Sequence, residues 1–188
     1  LDADLRHVLD EVEFNTKVIA VVIGSSKSDS FVAGADLEMI SKVETASEAT
    51  RLSRLAQEGF ARLEALHKKL GKPVVAAIHG PALGGGLELA LTCSMRIASD
   101  APETVLAVPE VKLGLIPGAG GTQRLPELVG IANALDMILT GKNVRAPKAR
   151  QMGLVDEVVP AAILLQIAEQ RALQAARGEM KPPKRGLM

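Results

Sequence analysis

Two glutamates stand out because their neighbours are not those of a solvated surface. Glu88 lies in Gly84-Gly85-Gly86-Leu87-Glu88-Leu89-Ala90, so a helix here would set its carboxyl beside Gly84, Gly85, Leu91 and Thr92. Glu110 follows Pro109 and precedes Val-Lys-Leu-Gly-Leu-Ile-Pro, a second apolar and glycine-containing setting. Carboxyl groups in such surroundings shift their proton affinity, and two of them suffice for paired acid and base work. Taken singly, each has a plain structural alternative. Glu88 would gain from the helix dipole in a first turn, and Pro-Glu is a common turn. A hard metal wants more oxygen ligands than this pair and Asp36 offer, so no metal site is expected.

Glycine is concentrated around the same residues. Gly80, Gly84, Gly85, Gly86, Gly114, Gly118, Gly120 and Gly121 all fall within one stretch, and two of the clusters immediately precede helical patterns. Turns of this kind present backbone N–H groups and the positive end of a helix dipole to whatever binds there. Neither cluster continues into Gly-Lys-Ser/Thr, which excludes a P-loop. After Gly118-x-Gly120 the place of a third small residue is taken by Gln123, so a dinucleotide fingerprint is excluded too. No Gly-x-Ser-x-Gly elbow is present for a serine nucleophile. His79 reads as a packed strand-end residue and Cys93 as a buried thiol.

The elements that must position these residues alternate in type. A helical pattern over residues 1–13 is followed by a β-branched run, 18–23, ending at Gly24. Residues 31–40 pass from a small-residue turn into a helix start. Leu52, Leu55, Leu63, Leu66 and Leu70 give a long amphipathic helix over 46–70, stopped by Gly71. Strands are then expected at 74–78, 95–98, 104–108 and 154–159. Helices are expected after Gly86, after Gly121, and at 131–139, 146–152 and 161–177. Strands alternating with helices indicate βαβ units and a mainly parallel sheet. We read 1–160 as the core and 161–188 as a C-terminal helix with a basic linker tail.

Composition closes off other classes. The 188 residues carry 22 basic and 22 acidic side chains, a formal net charge of zero. No chain-wide field therefore attracts nucleic acid or an anionic membrane. With three Phe and no Trp or Tyr, little is left for stacking on bases. One cysteine excludes an internal disulfide, and with no signal-like N-terminus it fits a cytoplasmic location. No apolar run reaches the roughly 18 residues of a membrane span. The chain begins with Leu1 and inside a helical pattern, so it is expected to be part of a longer polypeptide.

Three blocks of residues resemble a known family. Phe31-Val-Ala-Gly-Ala-Asp-Leu, Ile78-His-Gly-Pro-Ala-Leu-Gly-Gly-Gly-Leu-Glu-Leu-Ala and Pro109-Glu-Val-Lys-Leu-Gly-Leu-Ile-Pro-Gly-Ala-Gly-Gly-Thr-Gln-Arg-Leu occur in order. They are similar to the signatures of the crotonase (enoyl-CoA hydratase/isomerase) family, most of all its branch in bacterial multifunctional fatty-acid oxidation proteins. Leu139-Thr-Gly-Lys and Met152-Gly-Leu-Val-Asp-Glu-Val-Val also fit. The resemblance implies an α/β fold, the crotonase (ClpP-like) spiral of repeated ββα units, here truncated at both ends. It implies hydration of trans-2-enoyl-CoA to 3-hydroxyacyl-CoA in β-oxidation, with associated Δ3,Δ2-enoyl-CoA isomerase activity.

By matched position, the N–H groups of Ala35 and Gly85 would form an oxyanion hole for the thioester carbonyl. Glu88 would activate water and Glu110 would exchange the C2 proton. Ala33, Gly34 and Asp36 would line the coenzyme A path, with Leu83, Gly84, Pro109 and Pro117 among the substrate contacts and Gly118 beside the reacting carbons. No cofactor is implied, coenzyme A being part of the substrate. Implied partners are further copies in a homotrimer and, in a full-length parent, a dehydrogenase domain and a thiolase subunit. Glu38 departs from relatives that carry a basic residue near the coenzyme A phosphates. An initial strand hairpin and the C-terminal helices of the family are not in the sequence, which leaves two alternatives open. One is another crotonase-type reaction, such as isomerisation alone; the other is an inactive assembly module.

Overall fold

A computed structural model of the chain describes residues 2–34 and 42–180. The expected helix start at 35–40, with Ala35, Asp36 and Glu38, lies outside the described residues, as does most of the basic tail.

The β-branched runs form one parallel sheet. Strands β1 (Val21–Ile23), β2 (Val74–Ile78), β4 (Met95–Ser99) and β7 (Glu157–Val159) lie in the order β1-β2-β4-β7, every pair parallel. Alternation along β2 explains why no polar residue interrupts it. Val74, Ala76 and Ile78 enter one apolar cluster, and Val75 and Ala77 enter another on the opposite face. The first cluster is covered by α1 (Asp2–Phe14), α2 (Ala46–Lys68) and α3 (Gly85–Thr92). The second is covered by Leu164, Ala168 and Ala172 of α7 (Leu164–Ala176).

Helix α2 starts where Thr45 and Glu48 form a capping box, each side chain taking up the other's backbone N–H. It ends at Lys68, so Leu70, expected on the buried stripe, lies past the last turn and is half exposed. Phe60, Leu63 and Leu66 form the buried part of that stripe. Helix α3 is buried along almost its whole length, and apart from Glu88 and Thr92 its residues are glycine or apolar, as suits a helix inside a core.

A second, smaller sheet escapes the sequence reading in part. Strands β3 (Ala82–Leu83), β5 (Val105–Ala107) and β6 (Val144–Arg145) form it, β3 parallel to β5 and β5 antiparallel to β6. Two-residue strands carry no periodicity, and only pairing defines them. Val32 adds a parallel bridge to Ala82, and Leu83 pairs with Ala107. Three chain segments, 33–34, 84–85 and 108–110, therefore leave the same ends of parallel strands side by side. In α/β sheets this is where ligands bind.

The remaining elements are short helices that brace this edge. A 3₁₀ helix (Pro109–Leu113) follows β5, and α4 (Gly121–Val129), α5 (Ile131–Thr140) and α6 (Ala146–Gln151) come after it. Another 3₁₀ turn (Ala161–Ile163) leads into α7. Among the described residues, no helix is long and apolar enough to cross a membrane.

Candidate active site

Gly84 ends β3 and caps α3 at φ 52°, a left-handed value that favours glycine. Its N–H donates to Ala107 O at 2.9 Å, tying the start of α3 to the end of β5. A Cβ here would lie 2.9 Å from Glu110 Oε1 and 3.9 Å from the Gly34 Cα, so glycine is what lets these three segments meet. The first i to i−4 bond of α3 runs from Glu88 N–H to Gly84 O at 2.9 Å. The N–H of Gly85 precedes it, in the part of a helix that has no acceptor of its own. One turn on, Glu88 is only 3% exposed.

Glu88 is held by main chain. Its Oε1 accepts the N–H of Ala119 at 2.8 Å and the N–H of Gly121 at 2.7 Å. Sequence reasoning left open what the Gly118–Gly121 turn would bind at the start of α4. The answer is the protein's own carboxylate. Burial pushes the Glu88 carboxyl above the usual carboxylate range, against the pull of the Gly121 and Ala119 N–H groups and the Arg124 charge.

Glu110 sits on the 3₁₀ helix with Pro109 at its first position. The turn is closed by Leu115 N–H to Glu110 O and Gly114 N–H to Val111 O, both at 3.0 Å. Its Oε2 is buried without a hydrogen-bond partner among the described residues. Burial pushes this carboxyl up as well, and the charge of Glu88 pushes in the same direction. Two carboxyl groups thus repel each other across a glycine-lined gap. Glu88 takes two N–H donors from a distant turn, whereas Glu110 has only its own backbone N–H pulling against its burial.

This asymmetry has a consequence for stability. Folding raises the proton affinity of Glu110, so the folded state binds that proton more tightly than the unfolded chain does. The contribution is complete below the ordinary glutamate range and is lost as pH rises through the folded value. Glu110→Gln is therefore expected to melt higher than the parent around pH 8, the gap closing toward about pH 4. Paired thermal melts across that range check it, and a gap that fails to depend on pH contradicts it.

The other expected site residues fall as follows. Pro117 is buried at the turn that holds Glu88, its Cβ 3.1 Å from where a Gly121 Cβ would stand. Gly118 is on the same turn, and its carbonyl accepts Gln57 Nε2 at 2.7 Å. Leu83 is half-buried at the end of β3, and Gly34 approaches Leu83 O. Ala33 is exposed beside it. Ala35 and Asp36 lie outside the described residues. Among the described residues no group of three or more His, Cys, Asp and Glu could hold a metal ion. Cys93 is buried, and His79, just past β2, meets Ser99 Oγ at 2.9 Å.

Residues 1–182 match the enoyl-CoA hydratase/isomerase family. The chain belongs to that family. Among similar proteins, the fatty acid oxidation complex subunit alpha of Shewanella amazonensis is 53% identical over 185 residues, 98% of this chain and 26% of that protein. The protein of the same description from Shewanella loihica is 54% identical over 179 residues, 95% of this chain and 25% of its own length. The chain thus spans about a quarter of these relatives. Among solved structures, enoyl-CoA hydratase from Bacillus anthracis superposes with a TM-score of 0.83 at 35% identity, covering 93% of this chain and 65% of that one. Pseudomonas aeruginosa DspI gives 0.86 at 36% identity, with 96% and 66% covered. The fold of this family member is accordingly the crotonase fold, α/β with a parallel sheet.

Sequence reasoning missed what stands behind the enoyl-CoA hydratase/isomerase signature. Arg124 Nη1 donates to Ala119 O at 3.0 Å, and its Nη2 and Nε reach Glu64 Oε2 at 3.0 and 3.3 Å. Glu64 also pairs with Lys68 at 2.6 Å, one turn along α2. Arg124 lies within the third block, but its partner is 60 residues away, and no local spacing announces that pairing.

Proposed function

We propose that this chain is the hydratase module of a larger fatty-acid oxidation protein and adds water across the double bond of a trans-2-enoyl-CoA. The observation that carries this reading is the unequal environment of the two glutamates. Burial raises both carboxyls, but at Glu88 two N–H donors from the Ala119–Gly121 turn and the Arg124 guanidinium pull back toward the ionised form. An orphaned buried oxygen and the adjoining negative charge favour the protonated form of Glu110. Hydration needs one group to act as base and one as acid, and the more strongly supported carboxylate, Glu88, suits the base.

In this reading the ionised Glu88 takes a proton from water as the water oxygen bonds to C3. The electron pair of the double bond moves toward C2 and the thioester carbonyl, building enolate charge on the oxygen. Glu110 delivers its proton to C2. The pair then holds one proton on Glu88 and none on Glu110, and exchange with solvent restores the starting state. The N–H of Gly85, at the start of α3, meets the enolate oxygen together with that of Ala35. Losing one such donor typically costs about 2.7–4 kcal/mol of barrier. Ala33, Gly34, Asp36, Leu83, Gly84, Pro109, Pro117 and Gly118 bind and orient the thioester.

The same pair supports Δ3,Δ2 isomerisation, one carboxyl removing the proton at C2, alpha to the thioester, and the other supplying one at C4. A cytoplasmic location, assembly into a homotrimer, and a dehydrogenase domain and thiolase subunit as neighbours complete the proposal. Exposed Ile131, Leu135 and Leu139 along α5 support assembly.

The test is incubation with a short enoyl-CoA in ¹⁸O-labelled water. Loss of the conjugated thioester absorbance, with the label on C3, is the expected result. A product with no label on carbon, or no loss of absorbance, overturns the hydratase reading.

A further inference from the structure

The turn that supplies N–H donors to Glu88 is gripped from behind by residues of helix α2 and by Arg124. The Ala119 peptide is held on both sides, its N–H by Glu88 Oε1 and its carbonyl by Arg124 Nη1. Arg124 is in turn fixed by Glu64 of α2, and the two side chains are only 16% and 17% exposed. Gln57, two turns earlier on α2, donates to Gly118 O at 2.7 Å and forms a second strut. A Cβ at Gly120 would collide with the Arg124 guanidinium, so the turn is seated directly on that side chain.

From this geometry we infer that Arg124, clamped by Glu64, is a positioning residue that sets both the orientation of the Glu88 carboxylate and its charge state. The inference rests on the reading of Glu88 as the base of the hydration. A guanidinium with donors aimed at a carbonyl and a carboxylate at once has a rigid fork suited to this task, which a lysine does not have. The charged groups around Glu88 are few. Arg124 approaches from α4 and Glu110 from the 3₁₀ helix, while Glu64 and Lys68 stand behind Arg124 on α2. Helix α3 carries no other charged side chain, and Asp36 lies outside the described residues. Arg124 is therefore the one cation among them whose loss would act directly on Glu88.

Arg124→Gln, Arg124→Lys, Glu64→Gln and the double variant Arg124→Gln/Glu64→Gln are the proteins to compare. In Arg124→Gln, kcat is expected to fall roughly tenfold to a hundredfold with KM nearly unchanged, as for a misplaced catalytic group. The acid limb of the kcat profile moves to higher pH by about one unit, because an ionised Glu88 loses its favourable charge. Arg124→Lys recovers most of the limb but little of the turnover. Glu64→Gln shows a smaller loss, and the double variant is no worse than Arg124→Gln alone. Unchanged kcat and an unmoved limb in Arg124→Gln, or losses that multiply in the double variant, overturn the inference.

A second measurement separates this inference from the hydratase reading. A ¹³C NMR titration of the Glu88 carboxyl, without substrate, should show its midpoint move upward in Arg124→Gln. If it moves while the parent protein fails to hydrate enoyl-CoA, the hydratase reading fails and the link between Arg124 and Glu88 stands. An unmoved midpoint in an active enzyme refutes the link and leaves the hydratase reading in place.

Discussion

Glu88→Gln is expected to lower kcat for a short trans-2-enoyl-CoA by about 10³-fold, and Glu110→Gln by a loss within the same 10²–10⁴ range, while KM changes little. Both substitutions preserve shape. In Glu88→Gln the side-chain oxygen still accepts the N–H groups of Ala119 and Gly121, so the turn is not disturbed. What disappears is the second carboxylate oxygen, leaving an amide that cannot take a proton from water. In Glu110→Gln the orphaned Oε2 is replaced by a group with no proton to give to C2. Steady-state kinetics on each variant, with folding verified by thermal melts, decide the matter. Near-full rates from both would remove the acid–base pair from the mechanism.

The largest expected loss of stability lies elsewhere. Asp156→Ala should cost about 3–5 kcal/mol, read from the denaturant midpoint, because it strips a fully buried cation of its counter-charge. Arg96, on β4, is 0% exposed. Its backbone N–H and its Nη2 both donate to Asp156 Oδ2, at 2.7 and 2.8 Å. Its Nε and Nη1 are spent on Leu154 O and Cys93 O, at 3.0 and 2.9 Å. Without Asp156 the guanidinium keeps its carbonyls but loses the negative charge, and water cannot reach it. Glu157→Gln provides the contrast. That residue pairs with Arg171 at 2.6 Å, but both side chains are about a quarter exposed, and such pairs contribute roughly 0–1 kcal/mol. Equal costs for the two substitutions would mean that burial is not what makes the Arg96 pair matter.

The sequence shows some of these relationships and hides others, for physical reasons. Val74 to Ile78 could be read as a strand buried on both faces because a parallel sheet covered on both sides leaves no place for a polar residue. The helix over 46–68 can be read from its leucines, except that Leu70, expected on its stripe, lies beyond its end. A glycine three residues past the helix end marks a stop only approximately. β3 and β6 were invisible, since two residues have no period and their pairing is decided by partners elsewhere in the chain. The two glutamates could be picked out because each interrupts an apolar run. The Glu64–Arg124–Ala119 link could not, because each member looks like an ordinary residue of an amphipathic helix or a turn.

The anchor of Glu88 consists of peptide groups, and this decides how the loop can be altered. Every amino acid except proline offers the same amide hydrogen, so exchanging Ala119 for another small residue leaves the anchoring donor intact. The limit is set by bulk: a methyl at position 121 would already sit 2.9 Å from Glu88 Oε1 and 3.0 Å from its Cγ. Libraries aimed at the lining can therefore vary it while leaving the Glu88 anchor untouched, provided that positions 120 and 121 stay glycine.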